Sequence, residues 1–129
     1  MKYLVDSDIT ISYLNGREEA GDFLQKIRGK FGLSVISLGE ILEGVYGEAN
    51  EEKRLADIKD FLTKAKLLNV DRKVAQEFAK SRSVLRKKGD LLDNMDLLIA
   101  STALIYDLIL LTKNKRHFGR LKELKLIEL

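Results

Sequence analysis

Four acidic or amide side chains stand in or just after short apolar runs of this sequence. Asp6 ends the run YLVD, Glu40 ends LSVISLGE, and Asp96 lies near the start of NMDLLIASTA. Asn114 follows the fourth run, LILLTK. Carboxylate and amide oxygens are the ligands that Mg²⁺ and Mn²⁺ prefer in proteins. The pattern therefore predicts a divalent metal site and, with it, chemistry on phosphodiester bonds.

The charge of such a cluster supports the same prediction. Two carboxylates ~4 Å apart repel each other by about 4 kcal/mol at an effective dielectric of 20. Three on one edge of a sheet would cost several kcal/mol, against a total folding stability of only ~5–15 kcal/mol. A bound cation would remove that repulsion. We expect Asp6, Glu40 and Asp96 to be its ligands, with Asp93 and Asn114 as further candidates.

Each of these side chains also has a purely structural explanation as a helix cap. Ser37 and Glu40 fit the S-x-x-E capping box, in which Glu40 bonds back to the Ser37 amide. Asp8 could cap the first helix, and Asp93 could cap the helix that contains Asp96. Asn114 could cap a short C-terminal helix. Capping accounts for acids at helix starts one at a time. It does not explain why three should meet at one edge of one sheet.

The elements that must position these side chains alternate between strand and helix. Short β-branched runs predict strands at Tyr3–Val5, Leu33–Ile36, Leu67–Val70, Ile109–Leu111 and, more weakly, Leu126–Ile127. Helical spacing predicts a helix through Leu55, Ile58, Leu62 and Ala65. It predicts a second helix through Val74, Phe78, Ser81 and Leu85, with Asp71 as its N-cap. The apolar segment Leu97–Tyr106 predicts a third, buried helix. This alternation predicts an α/β fold, with a parallel sheet covered by helices on both faces. Ligands of such sheets bind at the carboxyl ends of the strands.

Composition narrows the class of protein. The chain has 129 residues, 45% of them hydrophobic and 33% charged, which suits one folded domain over residues 1–129. It has no cysteine, so disulfides and thiolate zinc sites are excluded, and its single histidine excludes cleavage of RNA by a histidine pair. The longest uncharged run, Leu97–Tyr106, is far below the ~20 residues that span a bilayer. The start MKYLVDSD is unlike a signal peptide, and we expect a cytoplasmic protein.

Basic residues add a second feature. The formal net charge is +3, and the excess lies in two groups. The first contains Arg82, Arg86, Lys87 and Lys88, and the second contains Lys113, Lys115, Arg116, Arg120, Lys122 and Lys125. Basic groups beside an acidic site suit a polyanion held over a metal, although solvated helix faces would look the same.

Taken in order, the runs YLVDSD, SLGE, DLLIASTA and LLTKNKRHF resemble the PIN-domain ribonucleases, and more narrowly the VapC toxins of type II toxin–antitoxin modules. The resemblance covers essentially the whole chain. It implies a three-layer α/β/α sandwich around a parallel sheet, and a cluster of acids that binds Mg²⁺ or Mn²⁺. It further implies hydrolysis of RNA by a metal-activated water, leaving 5′-phosphate and 3′-hydroxyl ends.

By position, Asp6, Glu40 and Asp96 match the three core acids of that family. Asn114 matches a fourth position that in many relatives is the acid of Thr-x-Asp, and an amide there can ligate but adds no charge. Ser37 and Thr112 are expected to orient ligands or water. Candidates for RNA contact are Arg86, Lys113, Lys115, Arg116 and His117. The resemblance also implies RNA (tRNA, rRNA or mRNA), a cognate antitoxin and a second copy of the chain as partners.

Two alternatives remain at this point. YLVDSDITI also fits the D-x-D-x-T motif of HAD-type phosphatases, with Asp6 as nucleophile and Asp8 as general acid, although GDLLDNMD then precedes LILLTK in the wrong order. An Asp8→Asn substitution is expected to separate that enzyme from a PIN nuclease. Alternatively, the missing acid at Asn114 predicts a metal-poor module that binds RNA or protein.

Overall fold

Five short strands and seven helices make up the computed structural model, which describes residues 1–129. The strands are β1 (Tyr3–Val5), β2 (Phe31–Ser34), β3 (Lys66–Leu68), β4 (Ile109–Thr112) and β5 (Leu126–Glu128). The helices are α1 (Ser7–Leu14), α2 (Glu18–Lys26), α3 (Val35–Glu43), α4 (Glu51–Leu62), α5 (Arg72–Lys87), α6 (Asn94–Ile105) and α7 (Lys115–Phe118). None of the helices is both long and apolar enough to cross a membrane.

The five strands form one sheet with every neighbouring pair parallel, in the order β3-β2-β1-β4-β5. Tyr3 of β1 is in register with Phe31 of β2 on one side and with Ile109 of β4 on the other. The chain moves outward from β1 to β3 and then crosses to the other side for β4. Because the strand order reverses between β1 and β4, a ligand crevice is expected at their carboxyl ends. The predicted parallel α/β fold is confirmed.

Helices cover both faces of the sheet, as the sequence predicts. Side chains alternate across a strand, and Val5 and Leu111 enter one apolar core with residues of α1 to α4. Leu4 and Leu110 point the other way, into a second core with residues of α5, α6 and α7. The architecture is therefore a three-layer α/β/α sandwich with the carboxyl edge of the sheet open for a site.

The second and third strands differ from the prediction at both ends, and β4 and β5 each run one residue further than predicted. The second strand ends at Ser34 and not at Ile36, because the Ser34 hydroxyl accepts a hydrogen bond from the Ile36 amide at 3.1 Å and starts α3. The third strand is Lys66–Leu68 and stops before Val70. The predicted cap of α5 is confirmed, since the Asp71 carboxylate accepts a hydrogen bond from the Val74 amide at 2.9 Å.

The apolar helix predicted over Leu97–Tyr106 is α6, which packs between α5 and the sheet. Leu97, Ile99, Ala100 and Ala103 are fully buried there. Apolar side chains on all sides leave α6 little freedom to rotate about its axis. Its first turn, which carries the acids, is therefore held in a fixed position at the open edge.

Candidate active site

Asp6 lies directly after β1 and is almost completely buried, with 4% of its surface exposed. It is the N-cap of α1, and its Oδ1 accepts a hydrogen bond from the Ser7 amide at 2.8 Å. The Thr112 hydroxyl donates to its Oδ2 at 2.8 Å. Burial, and then the charge of Asp8, raise the pKa of Asp6 to about 7 in spite of these hydrogen bonds. The site thus keeps a carboxyl group in a place that disfavours its charge.

Glu40 lies in the second turn of α3, and the predicted capping box is wrong. Ser34 caps α3, so Ser37 falls inside the helix, where its hydroxyl is buried and without a hydrogen-bond partner. Glu40 Oε1 instead accepts a hydrogen bond from the Ser7 hydroxyl at 3.1 Å, and that hydroxyl is 3.4 Å from Asp6 Oδ1. Burial and the charge of Asp96 raise the pKa of Glu40. Ser7, which sequence reasoning missed, therefore links two of the three predicted acids.

Asp96 lies in the first turn of α6, behind Asp93. Asp93 caps α6 as predicted, because its Oδ2 accepts a hydrogen bond from the Met95 amide at 3.1 Å. Asp96 Oδ2 is 3.3 Å from Nδ1 of His117 on α7. Burial and the negative charge of Asp93 raise the pKa of Asp96, whereas His117 lowers it. His117 thus contacts an acid of the cluster directly.

Asp8 belongs to the same cluster, although the sequence suggested a helix cap. The cap of α1 is Asp6, and Asp8 Oδ2 accepts a hydrogen bond from the Lys113 amide at 3.0 Å and lies 3.4 Å from the Thr112 hydroxyl. Its Oδ1 is buried and has no partner. The charge of Asp8 acts to raise the pKa of each predicted acid, Asp6, Glu40 and Asp96. The available signal was the D-x-D spacing directly after a buried strand.

Asn114 differs from the acids. It stands at the N-cap position of α7 but makes no capping bond through its exposed side chain, so the predicted cap is wrong. Its amide N–H donates to the Thr112 hydroxyl at 3.0 Å. That hydroxyl in turn donates to Asp6 Oδ2 at 2.8 Å, and its predicted role in orienting a ligand stays a prediction. Asn114 therefore supports the site through its backbone.

The basic residues differ in how close they come to the acids. The ammonium group of Lys113 contacts the Ser12 hydroxyl, whereas Lys115 and Arg116 on α7 are exposed and make no hydrogen bond or ion pair. Arg86 is exposed and also unpaired, at the far end of α5. One turn earlier, Arg82 Nε donates to Asn94 Oδ1 at 3.0 Å, next to the start of α6. Arg82 is thus the basic residue of α5 that reaches the acidic edge.

The donor set fits a hard divalent cation, because all of its ligand atoms are carboxylate oxygens. As the side chains stand, no three acidic or histidine residues are placed to hold one ion together. Each of the three acids contacts a neighbouring side chain instead: Asp6 contacts Thr112, Glu40 contacts Ser7, and Asp96 contacts His117. Burial, together with the negative charges of neighbouring acids, raises the pKa values of Asp6, Glu40 and Asp96, and Asp8 Oδ1 has no hydrogen-bond partner. A bound cation would favour the ionised form of these acids.

Comparison with known proteins identifies the family. The family model for the PIN domain matches residues 3–124. The chain belongs to the PIN-domain family. It is 35% identical over 122 residues to Ribonuclease VapC1 of Methanocaldococcus jannaschii, an alignment that covers 95% of this chain and 82% of the relative.

Solved PIN structures have the same fold. VapBC2 from Rickettsia felis, bound to a DNA fragment from its promoter, contains a chain that superposes with a TM-score of 0.92 at 26% identity, covering 100% of this chain and 99% of the other. VapBC-5 from Mycobacterium tuberculosis is a member of the VapBC family of toxin–antitoxin systems. One of its chains superposes with a TM-score of 0.76 at 25% identity, covering 99% of this chain and 98% of the other. The HAD-type phosphatase alternative is therefore wrong. The effect of Asp8→Asn on a PIN nuclease stays a prediction, and the position of Asp8 beside Asp6 now favours a loss of activity.

Proposed function

We propose that this chain is a divalent-metal-dependent endoribonuclease and the toxin of a toxin–antitoxin pair, with residues 1–129 as one PIN domain. The observation that carries the proposal is that Asp6, Glu40 and Asp96 lie at the carboxyl edge of the sheet, where the strand order reverses, close enough for the charge of Asp96 to act on both other acids. The similar VapC protein is itself named a ribonuclease. Acids kept at the cost of raised pKa values support a role in binding a cation.

In this proposal Asp6, Glu40 and Asp96 hold one Mg²⁺ or Mn²⁺, with Asp93 close to Asp96. When bound, such an ion would lower the pKa of a water ligand and offset charge that develops on the phosphate oxygens. The Thr112 hydroxyl fixes the orientation of Asp6, and the Ser7 hydroxyl ties Glu40 to the same turn. These contacts pre-orient two ligands from elements distant in the sequence.

The exposed cations lie at the rim of this acidic edge. Lys115 and Arg116 are exposed on α7, the helix of His117, and the half-buried Arg82 contacts Asn94 at the start of α6; we propose that these three bind the RNA backbone. Arg86 and Lys113 remain weaker candidates, because the Arg86 side chain has no hydrogen bond that ties it to α6 and the Lys113 ammonium group contacts Ser12. We also propose an antitoxin partner, because VapBC-5 is a toxin–antitoxin system of the same fold. Formation of a homodimer stays a prediction that light scattering would test.

A cleavage assay with purified protein tests the proposal. Wild type, Asp96→Asn and Asp57→Asn would be incubated with a mixture of tRNA and rRNA in Mn²⁺ and, separately, in chelator. Asp57 is a matched control, because it is an acid on α4 paired only with Lys53. We expect discrete cuts from wild type and Asp57→Asn in Mn²⁺, and none from Asp96→Asn or in chelator.

The other outcomes decide against the proposal in different ways. Equal cutting by all three proteins would identify a contaminating nuclease as the source. RNA binding without cutting by the wild type would favour the metal-poor binding module, the alternative that Asn114 supports. The pattern of cuts would also distinguish tRNA from rRNA as the substrate.

A further inference from the structure

The carboxylate of Asp8 is fixed on one side and free on the other. Its Oδ2 accepts the Lys113 amide at 3.0 Å, which holds the group against the loop that joins β4 to α7. Its Oδ1 is buried and has no hydrogen-bond partner. A buried polar atom without a partner is rare in folded proteins and calls for a ligand or another explanation.

We propose that Asp8 supplies the fourth carboxylate of the metal site through Oδ1, in place of the acid that position 114 lacks. The assignment rests on the proposed function, since it adds a ligand to the same site. Asp8 projects from the first turn of α1, two residues after Asp6, so both carboxylates stand at the carboxyl end of β1.

The hydrogen bonds around Thr112 explain why Asp8, and not Asn114, takes this place. One hydroxyl, that of Thr112, donates to Asp6 Oδ2 at 2.8 Å and lies 3.4 Å from Asp8 Oδ2. The same hydroxyl accepts the Asn114 amide N–H at 3.0 Å, while the Asn114 side chain is exposed and makes no capping hydrogen bond. The negative charge thus sits on α1, and the loop residue at position 114 contributes only its backbone.

A structural role for Asp8 predicts different behaviour. If Asp8 only tethered the loop through the Lys113 amide, a neutral Asn would accept the same hydrogen bond without repelling Asp6, Glu40 and Asp96. A tether therefore gives no reason for a charge at this position. A ligand does, because a cation would balance the four carboxylates together.

Calorimetric titration with Mn²⁺ and melting in chelator separate the two roles without any measurement of activity. The proteins are wild type, Asp8→Asn, Asp96→Asn and the exposed control Asp57→Asn. We expect Asp8→Asn to weaken Mn²⁺ binding by about tenfold or more, since even groups that only orient ligands change metal affinity by roughly 10–100-fold. We expect the same substitution to raise the melting temperature in chelator, because it removes repulsion. Asp57→Asn is expected to change neither quantity.

A second pair of variants keeps the test sharp if Asp8→Asn folds poorly. Asn114→Asp alone would place a fifth charge at the edge and lower the melting temperature in chelator. Combined with Asp8→Asn, it would move the carboxylate from α1 to the loop and recover at least part of the Mn²⁺ affinity. If the combined variant binds Mn²⁺ no more tightly than Asp8→Asn, a carboxylate at position 114 does not replace the one at position 8, which would contradict the proposal.

The outcomes distinguish this inference from the proposed function. Wild-type affinity in Asp8→Asn, with loss of binding in Asp96→Asn, would overturn the Asp8 assignment and leave the metal site standing. A lower melting temperature of Asp8→Asn with unchanged affinity would identify a tether. No Mn²⁺ binding by the wild type at millimolar concentration would overturn both.

Discussion

Replacing Asp6 by Asn is expected to stabilise the metal-free protein near neutral pH, although it removes a proposed ligand. Asn has nearly the same shape as Asp, and its oxygen can still accept the Ser7 amide hydrogen bond. What it removes is the charge of a carboxylate that is buried beside other acids. The effect on stability therefore has the opposite sign to the effect expected on metal binding.

The magnitude follows from the pKa of Asp6, which rises from 3.8 to about 7 on folding. Each unit of pKa difference corresponds to about 1.36 kcal/mol, so ionisation of Asp6 costs the fold about 4 kcal/mol at full charge. Because the folded pKa is the higher one, the native state binds the proton more tightly. The contribution of Asp6 to the free energy of unfolding is therefore most favourable below pH 3.8 and is lost as the pH rises toward 7.

The Asn variant lacks this penalty, and the pKa of about 7 already includes the hydrogen bond that the Thr112 hydroxyl donates to the carboxylate. We expect a gain of up to about 4 kcal/mol at pH 8, which at this chain length raises the melting temperature by roughly 15 °C. At pH 4, where folded wild type holds the proton, the gain is expected to disappear.

The assay is thermal unfolding of wild type, Asp6→Asn and the control Asp57→Asn in chelator, from pH 4 to pH 8. We expect the melting temperatures of wild type and Asp6→Asn to diverge as the pH rises through this range. A variant less stable than the wild type at pH 8, or a difference that does not change with pH, would refute the reasoning. It would mean that Asp6 serves the fold as a cap, with no penalty for its charge.

Further predictions concern the metal, the RNA and the core. Mg²⁺ at 100 times its dissociation constant is expected to stabilise the wild type by about 2.7 kcal/mol in urea unfolding; equal stability in Mg²⁺ and in chelator would mean that the acids are caps. Combined Lys115→Ala and Arg116→Ala is expected to reduce the salt dependence of RNA binding, by about 0.7 in log–log slope for each lost phosphate contact. Parallel salt plots would remove these residues from the interface. Leu97→Ala, at a fully buried position of α6, is expected to cost about 2–5 kcal/mol in urea unfolding; a loss below about 1 kcal/mol would contradict the packing described for α6.

Local sequence patterns were enough to predict the layers and three of the acids. The run YLV reads as a buried strand, and a polar residue after it must emerge at the carboxyl edge, which places Asp6. The mostly apolar sequence of α6 requires burial of most of the helix, which places Asp96, in its first turn, near the same edge. Both inferences depend only on the spacing of apolar residues along a strand or helix and on the parallel pairing of the strands.

Contacts between distant elements could not be predicted in this way. The hydrogen bond from Ser7 to Glu40 joins residues 33 positions apart, and it depends on how α1 and α3 pack. The role of Glu40 was also ambiguous, because the local sequence fits a capping box with Ser37 even though the folded protein pairs Glu40 with Ser7. Arg82 and Arg86 lie one turn apart on α5, so only the packing of α5 on α6 decides which one reaches the site.

The most direct test of the account is the position of Mn²⁺ in a crystal of the wild-type protein, located by its anomalous scattering. We predict a peak at the carboxyl edge of the sheet, within ligand distance of oxygens from Asp6, Glu40 and Asp96. A peak elsewhere, or none at a concentration that supports RNA cleavage, would contradict the proposal that these acids hold the catalytic metal.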